Sequence, residues 1–182
     1  HRRLRSLLPA RVRLKPAGQL VETLRMVKEA DEIQRIRDAV LLGAALFDTA
    51  VATIRPGVAE VAVAAEMEYA ARRAGADAMS FETIIASGER SALPHGRASE
   101  QLIPSRGFVV CDFGVILAGY CSDMTRTVWV GHPDEEALGT YESVRTAQQA
   151  AIDAVGAGVS VGEVDEAARN LLKKDKLDKF FT

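Results

Sequence analysis

The sequence predicts an α+β domain, and three observations lead there. Apolar residues recur at steps of three and four from about residue 33 to 73, β-branched and aromatic runs replace them from about 83 to 130, and helical spacing returns from about 134 onward. Helix pair, strands, helix pair is therefore the expected order.

In the first segment, Ile33, Ile36, Val40, Ala44, Phe47, Val51 and Ile54 describe one buried face of a long helix, and Arg55-Pro56-Gly57 ends it. A second, Ala-rich helix is expected from about Ala59 to Arg73, stopped by Gly75, so the chain opens on a helical hairpin. Thr83 to Ala86 reads as a short strand. Phe108 to Leu117 and Tyr120 to Val130 read as an antiparallel hairpin around the two-residue turn Ala118-Gly119. Helix is expected again from about Asp134 to Val155. It breaks at Gly156-Ala157-Gly158 and restarts at Ser160, whose spacing to Glu163 matches a capping box. Residues 50–58 and 151–159 have similar sequences at similar places in the two helix pairs. They fit an internal duplication, and equally two Ala-rich hairpins alike by composition. A duplication would place a second set of strands after the second helix pair.

Composition narrows the function. A length of 182 residues with 48 % apolar content suffices for one sizeable core. Lys and Arg number 23 against 25 Asp and Glu, so no field of one sign recruits nucleic acid or an acidic membrane surface. No run approaches the roughly 20 apolar residues of a membrane span. Residues 1 to 17 carry Arg2, Arg3, Arg5, Arg11, Arg13 and Lys15 and read as the end of an upstream domain with its linker, the main domain starting at 18. His1 and the apolar Phe180-Phe181-Thr182 both read as cut ends. Cys111 and Cys121 make neither a disulfide framework nor a Cys-x-x-Cys metal site, which suits a reducing cytoplasm.

The hairpin carries the chemistry. If Leu117 pairs with Tyr120, Asp112 sits opposite Thr125 and Asp123 opposite Gly114, so both carboxylates leave one face as diagonal neighbours. Such neighbours lie about 7 to 8 Å apart at the backbone, and carboxylates reaching from there can share ions about 3.5 to 4 Å apart. Two like charges side by side need a compensating cation, and Gly114 is expected to leave room for one. One Asp bound by backbone amides or Arg126, with the other facing solvent, is the blander alternative. The same parity separates Cys111 from Cys121. Arg126 falls on the far face as a structural ion-pair partner, and Phe81, Ile84 and Trp129 read as core.

Val-Cys-Asp-Phe-Gly at 110–114, Ser-Asp-Met-Thr-Arg-Thr at 122–127 and Ile-Ile-Ala-Ser-Gly-Glu-Arg-Ser-Ala-Leu-Pro-His-Gly at 84–96 together resemble the pita-bread metallopeptidases, in the Xaa-Pro aminopeptidase and prolidase branch. Val-Lys-Glu-Ala-Asp-Glu-Ile at 27–33 is similar to the opening of that catalytic domain. The resemblance implies a pita-bread fold of which residues 18–182 are the N-terminal half. It implies that Asp112 and Asp123 are ligands of two divalent metal ions, and that His95 is the catalytic histidine near the substrate. His1, at the chain start, and His132, in a Gly-His-Pro-Asp turn, match no such motif. Oxygen donors favour Mn(II) first, with Zn(II), Co(II) or Fe(II) open. The implied reaction is hydrolysis of peptides with Pro in second position, by water activated between the ions. Homo-oligomerisation stays open. The family completes its site with a further His and two Glu that match nothing here, so this stretch alone is expected to be inactive. The rival readings are a pseudo-peptidase or half-domain binding module on the same fold, or a metal-free relative like creatinase.

Overall fold

The computed structural model describes residues 6–9, 11–13, 15 and 18–181. The reading of residues 1–17 as the end of an upstream domain falls partly on 1–5, 10, 14, 16 and 17, which lie outside the described residues. Helix α1 (Leu20–Met26) is short and exposed throughout. It leads into α2 (Ala30–Thr53) and α3 (Glu60–Arg73), the expected helical hairpin. Glu32 fixes the start of α2: its carboxylate accepts from the backbone N–H of Glu29 at 2.9 Å and from the Tyr120 hydroxyl at 2.7 Å. Those two donors, the backbone one foremost, hold the Glu32 carboxyl below its usual range. The second of them ties the tip of the later hairpin to this helix.

The buried face of α2 differs from the one the spacing suggests. Ala39, Gly43, Leu46 and Ala50 are buried, whereas Ile33, Val40 and Val51 are exposed. Close approach decides it. A Cβ at Gly43 would lie 2.9 Å from Met124 Cε and 3.0 Å from Ser122 Oγ, so α2 sits on the sheet along its small residues. From α3, Val63, Ala64, Met67 and Ala71 complete that side of the core.

Two three-stranded antiparallel sheets follow. One has the order β2 (Ile84–Ser87), β3 (Gly107–Phe113), β6 (Met124–Val130). The other has β1 (Ala78–Met79), β4 (Val115–Leu117), β5 (Tyr120–Cys121). Along β3 burial alternates: Val109, Cys111 and Phe113 face the helices and are fully buried, while Phe108, Val110 and Asp112 are half-buried. Burial pushes the Cys111 thiol up to about 12, so it stays neutral, and Cys121 is exposed; neither is bonded.

The second helix pair, α4 (Glu135–Ala154) and α5 (Val161–Lys174), starts as its caps require. Asp134 Oδ1 accepts from the N–H of Ala137 at 2.8 Å, and Ser160 and Glu163 cap each other reciprocally. Ala147, Ala168 and Leu172 form a small core separate from the main one. Leu138, Tyr141, Val144 and Ile152 leave an apolar stripe of α4 exposed. Among the described residues no strand follows α5, so the duplication gains no second sheet here. Among them, too, no helix is long and apolar enough to cross a membrane.

Candidate metal and catalytic site

The hairpin register is the one its turn dictates. Leu117 pairs with Tyr120, Ile116 with Cys121, Phe113 with Met124 and Asp112 with Thr125. Ala118 and Gly119 have φ of 50° and 81°, the left-handed pair of a type I′ turn, whose twist matches the strands it joins. The count is the same on both sides of Gly114 and Asp123, which lie opposite each other where the ladder is interrupted. Asp112 is half-buried on β3, and its Oδ1 accepts from Thr125 Oγ1 at 2.9 Å, which fixes the orientation of the carboxylate. Asp123 is exposed, one residue before β6.

Between the two carboxylates the hairpin pinches. A Cβ on Gly114 would stand 2.0 Å from the carbonyl oxygen of Ser122 and 2.7 Å from its carbon. Gly114 therefore admits a neighbouring backbone rather than leaving an opening, which corrects the expectation of space for an ion there. Ser80 locks the pinch: its N–H donates to the carbonyl of Gly114 at 2.9 Å and its hydroxyl to the carbonyl of Ser122 at 2.8 Å. Ser122 is buried, and its hydroxyl accepts from the N–H of Val115 at 3.0 Å. The pinch falls where the hairpin passes from one sheet to the other, with Asp123 next to it in the chain. Ser80 did not stand out in the sequence, because the carbonyls it bonds are 34 and 42 residues away.

His95 is exposed in the loop after the 3₁₀ turn Gly88–Ala92. The loop doubles back along β2. A Cβ on Gly96 would lie 2.9 Å from Ala86 Cβ, and Arg97 pairs with Glu82 at 3.0 Å, so residues 96 and 97 pack against the side chains of β2 and of the residue ahead of it. Ile84 of β2 is directly opposite Asp112. Ala86 itself is opposite Val110, two residues before Asp112 on β3.

The remaining expectations divide. Arg126 donates to the carbonyl of Thr125 at 2.8 Å instead of to a carboxylate. Trp129 packs edge-to-face on Phe108, ring centroids 4.7 Å apart, as half-buried core. Among the described residues, no three His, Cys, Asp or Glu side chains cluster tightly enough to hold a metal by themselves. Asp112 and Asp123 supply the hard oxygen donors that divalent cations prefer, and they suit a metal as part of a larger ligand set.

Sequence missed one buried charge. Glu60, at the first position of α3, is fully buried, and its carboxylate accepts from the N–H and hydroxyl of Ser87 and from the hydroxyl of Ser99, each at 2.8 Å, and from Arg90 Nε at 3.1 Å. These partners lie 27 to 39 residues away. An acidic residue in the first turn of a helix is otherwise ordinary, so no local signal marks it.

The model of metallopeptidase family M24 matches residues 34–182. The chain is similar to the uncharacterized peptidase YqhT of Bacillus subtilis, with 41 % identity over 157 residues, covering 86 % of this chain and 44 % of that protein. Among solved structures it is similar to the prolidase from Pyrococcus furiosus, with TM-score 0.90 and 38 % identity over 92 % of this chain and 50 % of that one. It is also similar to the Xaa-Pro dipeptidase from Bacillus anthracis, with TM-score 0.88 and 40 % identity over 90 % of this chain and 46 % of that one. The chain spans about half the length of the relatives it matches, and its fold is the corresponding half of theirs, the pita-bread fold.

Proposed function

We propose that this chain, which belongs to metallopeptidase family M24, supplies Asp112, Asp123 and His95 to the active site of an aminopeptidase or dipeptidase that cleaves Xaa-Pro bonds. The observation that carries the reading is the unslipped register on both sides of Asp123, with Asp112 oriented by Thr125. Support for the substrate class comes from the two solved relatives, a prolidase and a Xaa-Pro dipeptidase.

Asp112 and Asp123 would hold divalent metal, Mn(II) first among the candidates, together with ligands from outside residues 1–182. When bound, such a pair of ions polarises a carbonyl and makes water acidic enough to attack near neutral pH. The other roles belong to side chains of this chain. Thr125 holds Asp112 in one rotamer, and the Ser80 lock fixes the backbone that presents Asp123. His95 carries an imidazole, the side chain suited to exchanging protons near neutral pH. From its exposed loop it reaches the substrate and moves a proton at its ring nitrogen during breakdown of the tetrahedral species.

The test is His95→Ala in the intact protein, assayed on a Xaa-Pro and a matched Xaa-Ala peptide. Turnover of the Xaa-Pro peptide falls about 100-fold or more while bound metal is unchanged. Loss of the metal would make His95 a ligand, and equal turnover of the two peptides in the unaltered protein would remove the Xaa-Pro assignment.

A further inference from the structure

Both limbs of the His95 loop converge on one buried carboxylate. On the outgoing limb, Ser87 donates twice to Glu60 Oε1, at 2.8 Å each, and Arg90 Nε donates to Oε2 at 3.1 Å. On the return limb, Ser99 donates to Oε2 at 2.8 Å, and the backbone N–H groups of Glu60 and Val61 reach the carbonyls of Gln101 and Ser99 at 3.0 and 2.9 Å. Arg90 closes the ring, its Nη2 donating to the carbonyl of Arg97 at 2.7 Å. His95 lies inside this ring.

A fully buried carboxylate is costly unless donors surround it. Here they do, and every one of its side-chain partners brackets the loop. Apolar residues of similar volume commonly stabilise a fold as well as a buried ion pair does. They would not, however, hold two loop limbs at fixed separation. We propose that Glu60 is a positioning residue for His95, clamping residues 88–99 from the core side so that the imidazole is held in place beside β2. The proposal rests on His95 being the catalytic histidine.

Glu60→Gln separates this role from a general structural one. Its amide oxygen can keep both Ser87 bonds at the Oε1 position, while an NH₂ group replaces Oε2 and faces Arg90 Nε donor to donor. The Ser87 bonds stay, the Ser99 hydroxyl can turn to accept from the new NH₂, and the Arg90 bond, which ties residues 90 and 97 to the buried carboxylate, is lost. In the intact protein, kcat on a Xaa-Pro peptide is expected to fall about 10- to 100-fold, with KM and bound metal changed less than about twofold. Amide hydrogen exchange over residues 88–99 is expected to quicken about tenfold, with residues 107–130 unaffected. In the His95→Ala background the same substitution should cost less than about a further twofold, because the group it positions is already gone. Ser99→Ala, which deletes one hydrogen bond, gives the same pattern at about threefold should Glu60→Gln fold poorly.

A loss of turnover as large in the His95→Ala background as in the unaltered protein would overturn the proposal. So would unchanged exchange over 88–99 in both variants. If the unaltered protein cleaves no Xaa-Pro peptide, the peptidase reading fails separately, and the exchange measurement still decides whether Glu60 holds the loop.

Discussion

In the intact protein, Asp112→Asn and Asp123→Asn each lower bound divalent metal and Xaa-Pro turnover together, the turnover by at least about 100-fold, since even outer partners of metal ligands are worth 10- to 100-fold. A neutral amide neither offsets cation charge nor supplies the charged oxygen that a hard ion selects. Folding should be little affected. Asp123 is exposed, and Asp112 is half-buried with one hydrogen bond from Thr125 that an Asn oxygen can still accept. The measurement is metal content by elemental analysis beside kcat/KM. Full metal occupancy in both variants would remove the two aspartates from the site, whatever the activity did.

Gly114→Ala acts on the same site through the fold, and its expected cost is about 3 kcal/mol or more of stability. The added Cβ would lie 2.0 Å from the Ser122 carbonyl oxygen, a backbone atom in a segment locked by Ser80 and packed against α2, so no side-chain rotation relieves the contact. Gly119→Ala is the control. Gly119 has φ of 81° and nothing within 4 Å of a built Cβ, leaving only the left-handed backbone penalty of about 1 to 2 kcal/mol. Denaturant unfolding of the two variants should rank them in that order. Equal midpoints would mean that the pinch is soft.

Much of this architecture is legible because it is local. The turn Ala118-Gly119 and strict alternation along β3 fix the register that puts Asp112 opposite Thr125, and both can be counted from the sequence. The same holds for the capping box of Ser160 and Glu163 and for the ends of α2 and α3. The family resemblance, too, rests on contiguous motifs around His95, Asp112 and Asp123. What stayed hidden is set by distant neighbours. The pinch at Gly114 depends on Ser80 and Ser122, the clamp at Glu60 on partners 27 to 39 residues on, and the buried face of α2 on which small residues the sheet can approach. Strand β1, two residues long, is too short to show any period.

The most direct test of the central claim is anomalous diffraction from crystals of the intact protein grown with Mn(II). The account predicts two peaks about 3.5 to 4 Å apart, with carboxylate oxygens of both Asp112 and Asp123 within about 2.5 Å of them. Peaks that leave either aspartate without a metal contact, or an Asp112 held only by Thr125 while the ions sit elsewhere, would contradict it.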